Sequence, residues 1–266
     1  MVTPTLFIEA VSFWAPGLPD WGVARAAFRG EGGRVEPPLL RPLPALLAPI
    51  QRRRAPDTVV LALEVAARAV GQAGLQATQM PSVFVSAHGD LAITDVMCTT
   101  LAETPTLVSP TRFHNSVHNA ASGYWTMATG CMQASTALTA FECSFAAGLL
   151  EAATQCAADA CPVLLVGYDI EAHGALKCVT RSRGLLAAAL VLAPQQSERS
   201  VAALNWSLQP GPSVACTLRS EAARSLAHNA MVDALPLLES LASRKPETLL
   251  MPLSASLSLA IEILPL

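Results

Sequence analysis

Apolar residues recur along this chain with two periods, and the switching between them lays out a layered α/β order. Residues 6–14 (LFIEAVSFW) alternate loosely and are rich in β-formers, which predicts a first strand. Residues 15–56 are rich in proline and glycine and carry no sustained period, so they read as one long connection. From 58 to about 73, apolar positions at 59, 60, 63, 66, 67 and 70 predict a helix capped by Asp57 and stopped by Gly74. Residues 82–87 (SVFVSA) predict a short buried strand. His88-Gly89-Asp90 then turns the chain into a helix from 93 to about 103.

A stretch dense in histidine, asparagine, aromatic and cysteine side chains follows, SPTRFHNSVHNAASGYWTMATGCMQASTALTAFECSFAAGLLE over 109–151. It ends in a change of period, from a β-type run (134–141) to an apolar helical run (145–158) through Ala140-Phe141-Glu142-Cys143-Ser144. A strand that turns sharply into a helix is where α/β enzymes commonly place a nucleophile, because the helix N-terminus favours negative charge. Beyond it, 162–169 (PVLLVGYD) is a strand apolar enough to be buried on both faces. Strands at 186–193 and 201–208, joined by a polar turn, predict a hairpin. Helical spacing from 219 to about 243 is interrupted by Pro236, and a last strand spans 257–263.

The 266 residues suffice for one large domain with a full core. Hydrophobic residues make up 52% and charged ones 14%, with a mean hydropathy of +0.42. That balance points to a membrane or to a large buried interface. No window offers the ~18 uninterrupted apolar residues of a membrane span, so an interface is favoured. The N-terminus lacks the pattern of a signal peptide, and a cytoplasmic location is expected. A net charge of −3 argues against a general nucleic-acid surface. Seven scattered cysteines without a CxxC pair read as reduced thiols, most of them buried. The basic triplet Arg52-Arg53-Arg54 reads as a solvated face, with a phosphate-bearing partner as the alternative.

Within the focal stretch, Cys143 at a helix N-terminus has a setting that lowers a thiol pKa. The chain nevertheless uses Cys freely as a small apolar residue, and no partner base is assured. His114 and His118, spaced i, i+4, fit a zinc pair on one helix face, but no third ligand is evident. With Asn115 and Asn119 they read better as anchors of a buried polar turn beside a subunit interface, and no metal is expected. Tyr124 and Trp125 suit either a tunnel wall or an interface.

The order of elements and the phrases SPTRFHNSVHNAASGYW, AFECSFAAGLLEAA and PVLLVGYD resemble the β-ketoacyl synthase superfamily. More narrowly, the chain resembles the short chain-length-factor group of aryl polyene and xanthomonadin-type clusters. The resemblance implies a thiolase-like layered α/β fold, essentially the first half of a ketosynthase with a truncated second half, and a single domain over 1–266. It implies a cysteine nucleophile at the strand-to-helix turn, with histidines supplied by the second half. Counting back from PVLLVGYD places that position at Glu142, and no HGTGT-like or NxFGFGG-like stretch follows residue 170. The expectation is a non-catalytic subunit without cofactor, in which Glu142 caps the helix at the old nucleophile site. Its partners are an active ketosynthase in a heterodimer, or a second copy, with an acyl carrier protein reached through the complex. The interface or pocket is expected to use Phe113, His114, Asn115, His118, Asn119, Tyr124, Trp125, Thr136, Leu138, Phe141 and Phe145. The other reading is an independent thioester-processing acyltransferase using Cys143 with His118.

Overall fold

The strands β1 (Leu6–Trp14), β2 (Ser82–Val85), β3 (Ser135–Leu138), β4 (Val163–Asp169), β5 (Leu186–Ala193), β6 (Ala202–Pro210), β7 (Glu247–Ser254) and β8 (Leu257–Pro265) join into one mixed sheet. Its order is β3-β2-β4-β5-β1-β6-β8-β7, in a computed structural model that describes residues 4–180, 182–211 and 216–266. β2 runs parallel to both β3 and β4, and the remaining pairs are antiparallel. The helices are α1 (Trp21–Arg29), α2 (Pro49–Arg54), α3 (Asp57–Ala73), α4 (Leu91–Glu103), α5 (Pro110–Asn115), α6 (Ala120–Thr129), α7 (Ser144–Asp159), α8 (Glu221–Arg224) and α9 (Leu235–Ser243).

Strand alternation divides the core in two. In β4, Leu164, Val166 and Tyr168 face α3 and α6, whereas Val163 and Leu165 face α7. β5 is buried along its whole length, and its run of alanines keeps both faces thin enough for close helix packing. α7 packs on β4 and β2 but also touches β7, at the opposite end of the strand order. The sheet therefore curls around α7, and one apolar cluster joins residues from β2 to β8 with α1, α7 and α9. This is the layered α/β fold expected.

Several local expectations are corrected. β5 and β6 do not form a hairpin: β1 lies between them, paired along its length with β5 and over only three residues, Leu6 to Ile8, with β6. The hairpin in this part of the chain is β7–β8, and β7 had no signal beyond its apolar residues. Asp57 is the first helical residue rather than the cap of α3, and its carboxylate pairs with Arg41 at 2.6 Å. α1 sits inside the supposed connection, capped by Asp20, whose carboxylate accepts from the Val23 N–H, and closed by Gly30 at φ 72°. Pro236 divides the stretch 219–243, because it fits only the first turn of α9.

Candidate functional site

At the end of β3 the chain turns into α7 through Phe141, which takes φ 55°. A non-glycine residue in the left-handed region costs on the order of 1–3 kcal/mol and persists only where its surroundings hold it. Ser144 does so here. Its hydroxyl donates to the Phe141 carbonyl at 2.7 Å and accepts from the Ala140 N–H at 3.0 Å. The Phe141 ring stands edge-on to His88, centroids 5.4 Å apart. The residue count places Glu142 at the key position of the turn, whereas the backbone strain sits one residue earlier.

The N-terminus of α7 is occupied by a carboxylate, but not that of Glu142. Asp233, on a 3-10 turn before α9, accepts from the N–H groups of Phe145 and Ala146 at 2.8 and 3.2 Å through Oδ2. The expected cap is therefore provided by a residue about ninety positions away, while Glu142 stays exposed. Among the described residues, Asp233 Oδ1 is buried without a hydrogen-bond partner. Burial pushes its pKa from 3.8 up to about 7, with the Asp169 charge adding and the two N–H bonds opposing. Asp169, at the end of β4, is also raised to about 7 by burial. It accepts from the Ser86 hydroxyl and the Ala87 N–H, both at 2.8 Å, and so fixes the loop that carries His88.

Asp233, His88 and the turn residues 141–143 border a cavity of about 810 Å³. Phe141, Glu142 and Cys143 form one wall, His88 another, and His228, Cys216 and Met251 close it from the C-terminal part of the chain. Cys143 does not gain the lowered pKa that its helix N-terminus suggests. Burial first, then the negative charges of Asp233 and Glu142, push the thiol up. His88 is pushed down by burial.

The other anticipated residues divide into three groups. Thr136 and Leu138 lie on β3, which forms one edge of the sheet, and Thr136 Oγ1 accepts from Gln155 Nε2 at 3.1 Å. Phe113, on α5, is exposed, as are Leu101, Leu107, Val117, Met127 and Met132, the last at 93%. Trp125 and Phe145, in contrast, belong to the protein's own core: Trp125 packs 6.4 Å from Phe84, and Phe145 crowds Gly167. They form no exposed surface.

His114 and His118 are not on one helix face, because α5 ends at Asn115 and α6 begins at Ala120. His114 is exposed, and His118 Nε2 lies 2.9 Å from the Ser86 carbonyl oxygen and does not line the cavity. Asn115 is buried and accepts from the Tyr124 hydroxyl at 3.2 Å, whereas Asn119 is exposed. Among the described residues, no three His, Cys, Asp or Glu side chains are grouped so as to hold a metal ion. The sequence reading missed His88, Asp233 and the cavity role of His228. Only the HGD turn gave a local signal for any of them.

Residues 33–252 match the family model described as "Beta-ketoacyl synthase, N-terminal domain". No curated protein matches the chain. Among solved structures, one similar chain comes from the complex of a ketosynthase (ApeO) with its chain length factor (ApeC) from Xenorhabdus doucetiae. It is 22% identical, covers 97% of this chain and 99% of its own, and superposes with a TM-score of 0.73. A second comes from AntDE:AntF, a type II polyketide synthase acyl-carrier protein in complex with its ketosynthase. It has 10% identity, full coverage of both chains and a TM-score of 0.74. A β-ketoacyl synthase from Burkholderia phymatum STM815 is 13% identical over 91% of this chain and 78% of its own, with a TM-score of 0.59. At these identities the structures establish a shared fold.

Proposed function

The chain belongs to the β-ketoacyl synthase N-terminal domain family, and from that premise we propose that it is the non-catalytic partner of an active ketosynthase, a chain length factor. It pairs with that subunit as one domain and helps shape the cavity in which an acyl chain grows. The setting is cytoplasmic polyene or fatty-acid-type synthesis, with acyl groups delivered by a carrier protein. The observation that carries this reading is the carboxylate of Asp233 on the α7 N-terminus.

A thioester-forming nucleophile at a strand-to-helix turn relies on free N–H groups and positive helix potential to stabilise its thiolate and the oxyanion. Here a carboxylate takes up those N–H groups, Phe141 holds the strained position, and the adjacent thiol is pushed toward its neutral form. His118, the base of the acyltransferase reading, is engaged with the Ser86 carbonyl and is not at the cavity.

Pairing is supported by the edge strand β3. Its residues Ser135 and Ala137 are exposed, the strand itself carries no charged side chain, and the exposed Met132 and Phe141 flank it in the sequence. A stable interface of this kind buries ~2,000 Å² or more and is rich in apolar surface. One experiment tests the proposal: co-expression with a candidate ketosynthase, size exclusion with mass analysis of the complex, and a condensation assay. A stable one-to-one complex whose condensation survives Cys143→Ala is expected. Loss of condensation in that variant, with the complex intact, would return Cys143 to the chemistry.

A further inference from the structure

The segment 37–56 contains four arginines and no carboxylate, in a chain whose net charge is −3. It is firmly anchored: Pro42, Pro44 and Leu47 are buried, and Leu46 packs against the core cluster beneath. Arg41 is consumed internally. Its Nε pairs with Asp57 at 2.6 Å, and its other nitrogens donate to the carbonyls of Ala55 (2.6 Å) and Arg52 (3.3 Å). Arg52 donates to the Leu47 carbonyl at 3.0 Å. Arg53 and Arg54, on the last turn of α2, are exposed and make no hydrogen bond or ion pair with the described residues. Ile50, three and four residues before them on α2, is exposed, as are Leu39, Leu40 (at 80%) and Leu43 around Arg41, whose bonds to the Arg52 and Ala55 carbonyls hold that loop against the end of α2. Two aliphatics of this segment thus point into the protein and four stand out from it, next to two free guanidinium groups.

Exposed aliphatics held on a proline-stiffened loop are costly to leave in water, and together with unpaired cations they suit only certain surfaces. An acidic amphipathic helix needs a groove to receive its apolar face. These side chains protrude instead and do not line the cavity described above. A protruding leucine beside an arginine matches the boundary of a lipid bilayer, where the aliphatic tip enters the acyl region and the guanidinium meets phosphate. We propose that the segment 39–54 docks this protein reversibly on a bilayer surface containing anionic phospholipid. It lies on that surface and does not span it.

Each arginine near an anionic leaflet strengthens binding about fivefold, equivalent to about 1 kcal/mol at 1.4 kcal/mol per decade. The full-length chain should therefore sediment with vesicles of phosphatidylcholine plus phosphatidylglycerol about 25-fold more tightly than with phosphatidylcholine alone, and high salt should erase the difference. Arg53→Ala/Arg54→Ala should abolish that preference, and Leu40→Ser/Leu43→Ser should weaken binding to the anionic vesicles. Thermal melting should stay unchanged in both double variants, since these side chains are exposed. Failure of the wild-type chain to sediment with anionic vesicles overturns the proposal, as does sedimentation undiminished by the double arginine variant. Capture by polyglutamate where the vesicles fail would also overturn it, and would assign the patch to an acidic protein.

Discussion

Asparagine at position 233 isolates the charge at the head of α7. The Asp233 carboxylate is buried, with one oxygen on two N–H groups and the other unpartnered, and its pKa is raised from 3.8 to about 7. A carboxyl that holds its proton more tightly when folded than when unfolded gives stability that is fully present below pH 3.8. That stability is lost as pH rises through about 7. A rise of about three pH units at ~1.4 kcal/mol each amounts to roughly 4 kcal/mol, of which about 2–3 kcal/mol falls between pH 5 and 8. Asp233→Asn keeps an oxygen for the Phe145 and Ala146 N–H groups and removes the ionisation. It leaves a buried amide N–H₂ short of partners, so at pH 5 the variant should be less stable by ~1–2 kcal/mol. Between pH 5 and 8 the difference should then move about 2–3 kcal/mol in favour of asparagine. His88, whose pKa is lowered by burial, works in the opposite direction below about pH 6.5 but is common to both proteins. Urea denaturation at pH 5, 6, 7 and 8, at one protein concentration, measures the difference. Parallel pH profiles for the two proteins would refute a buried, ionising Asp233.

Three further outcomes are expected. Ala137→Asp, on an exposed position of β3, should leave the fold intact but place a desolvated charge in the proposed subunit seam. It should cost the complex several kcal/mol, and an unaltered elution volume in size exclusion would count against pairing through this edge. Incubation with acyl thioesters and intact-mass analysis should show no stable adduct, because the Cys143 thiol is raised and its helix N-terminus is already filled. A stoichiometric, hydroxylamine-sensitive adduct on Cys143 would overturn that. Gly148→Ala brings a Cβ within 2.4 Å of Val85 Cγ1, where α7 crosses β2. Overpacking of this kind costs about 1–3 kcal/mol, or a melting point lower by at least ~2 °C, and an unchanged melt would contradict the tight crossing.

Elements whose burial leaves a period in the sequence were legible. β1, β4, β5 and α7 are read within a residue or two, because each is apolar on a face, or on both, that the fold then covers. What failed depends on distant partners. The pairing of β5 and β6 was misread because β1, from the start of the chain, inserts between them. α1 was hidden by flanking prolines and glycines, though Asp20 and Gly30 are ordinary helix signals. The carboxylate on α7 was anticipated in kind but assigned to its neighbour Glu142. Charge at a helix N-terminus has no sequence register, and nothing near Asp233 advertises a contact with Phe145. His118 looked chemical from its spacing, yet a break between α5 and α6 sets it against a backbone carbonyl.

The placement of β1 bears on how the chain is made. Its nine residues are made long before their longest partner, β5, which begins at Leu186. At ~5–20 residues per second the first strand waits on the order of 10–30 s for that partner. Until then Ile8, Phe13 and Trp14, buried in the finished protein, have no sheet to enter. Nascent chains cut short before about residue 193 lack the centre of the sheet and should be held by chaperones or aggregate. Closure of the sheet is thereby gated by the synthesis of β5.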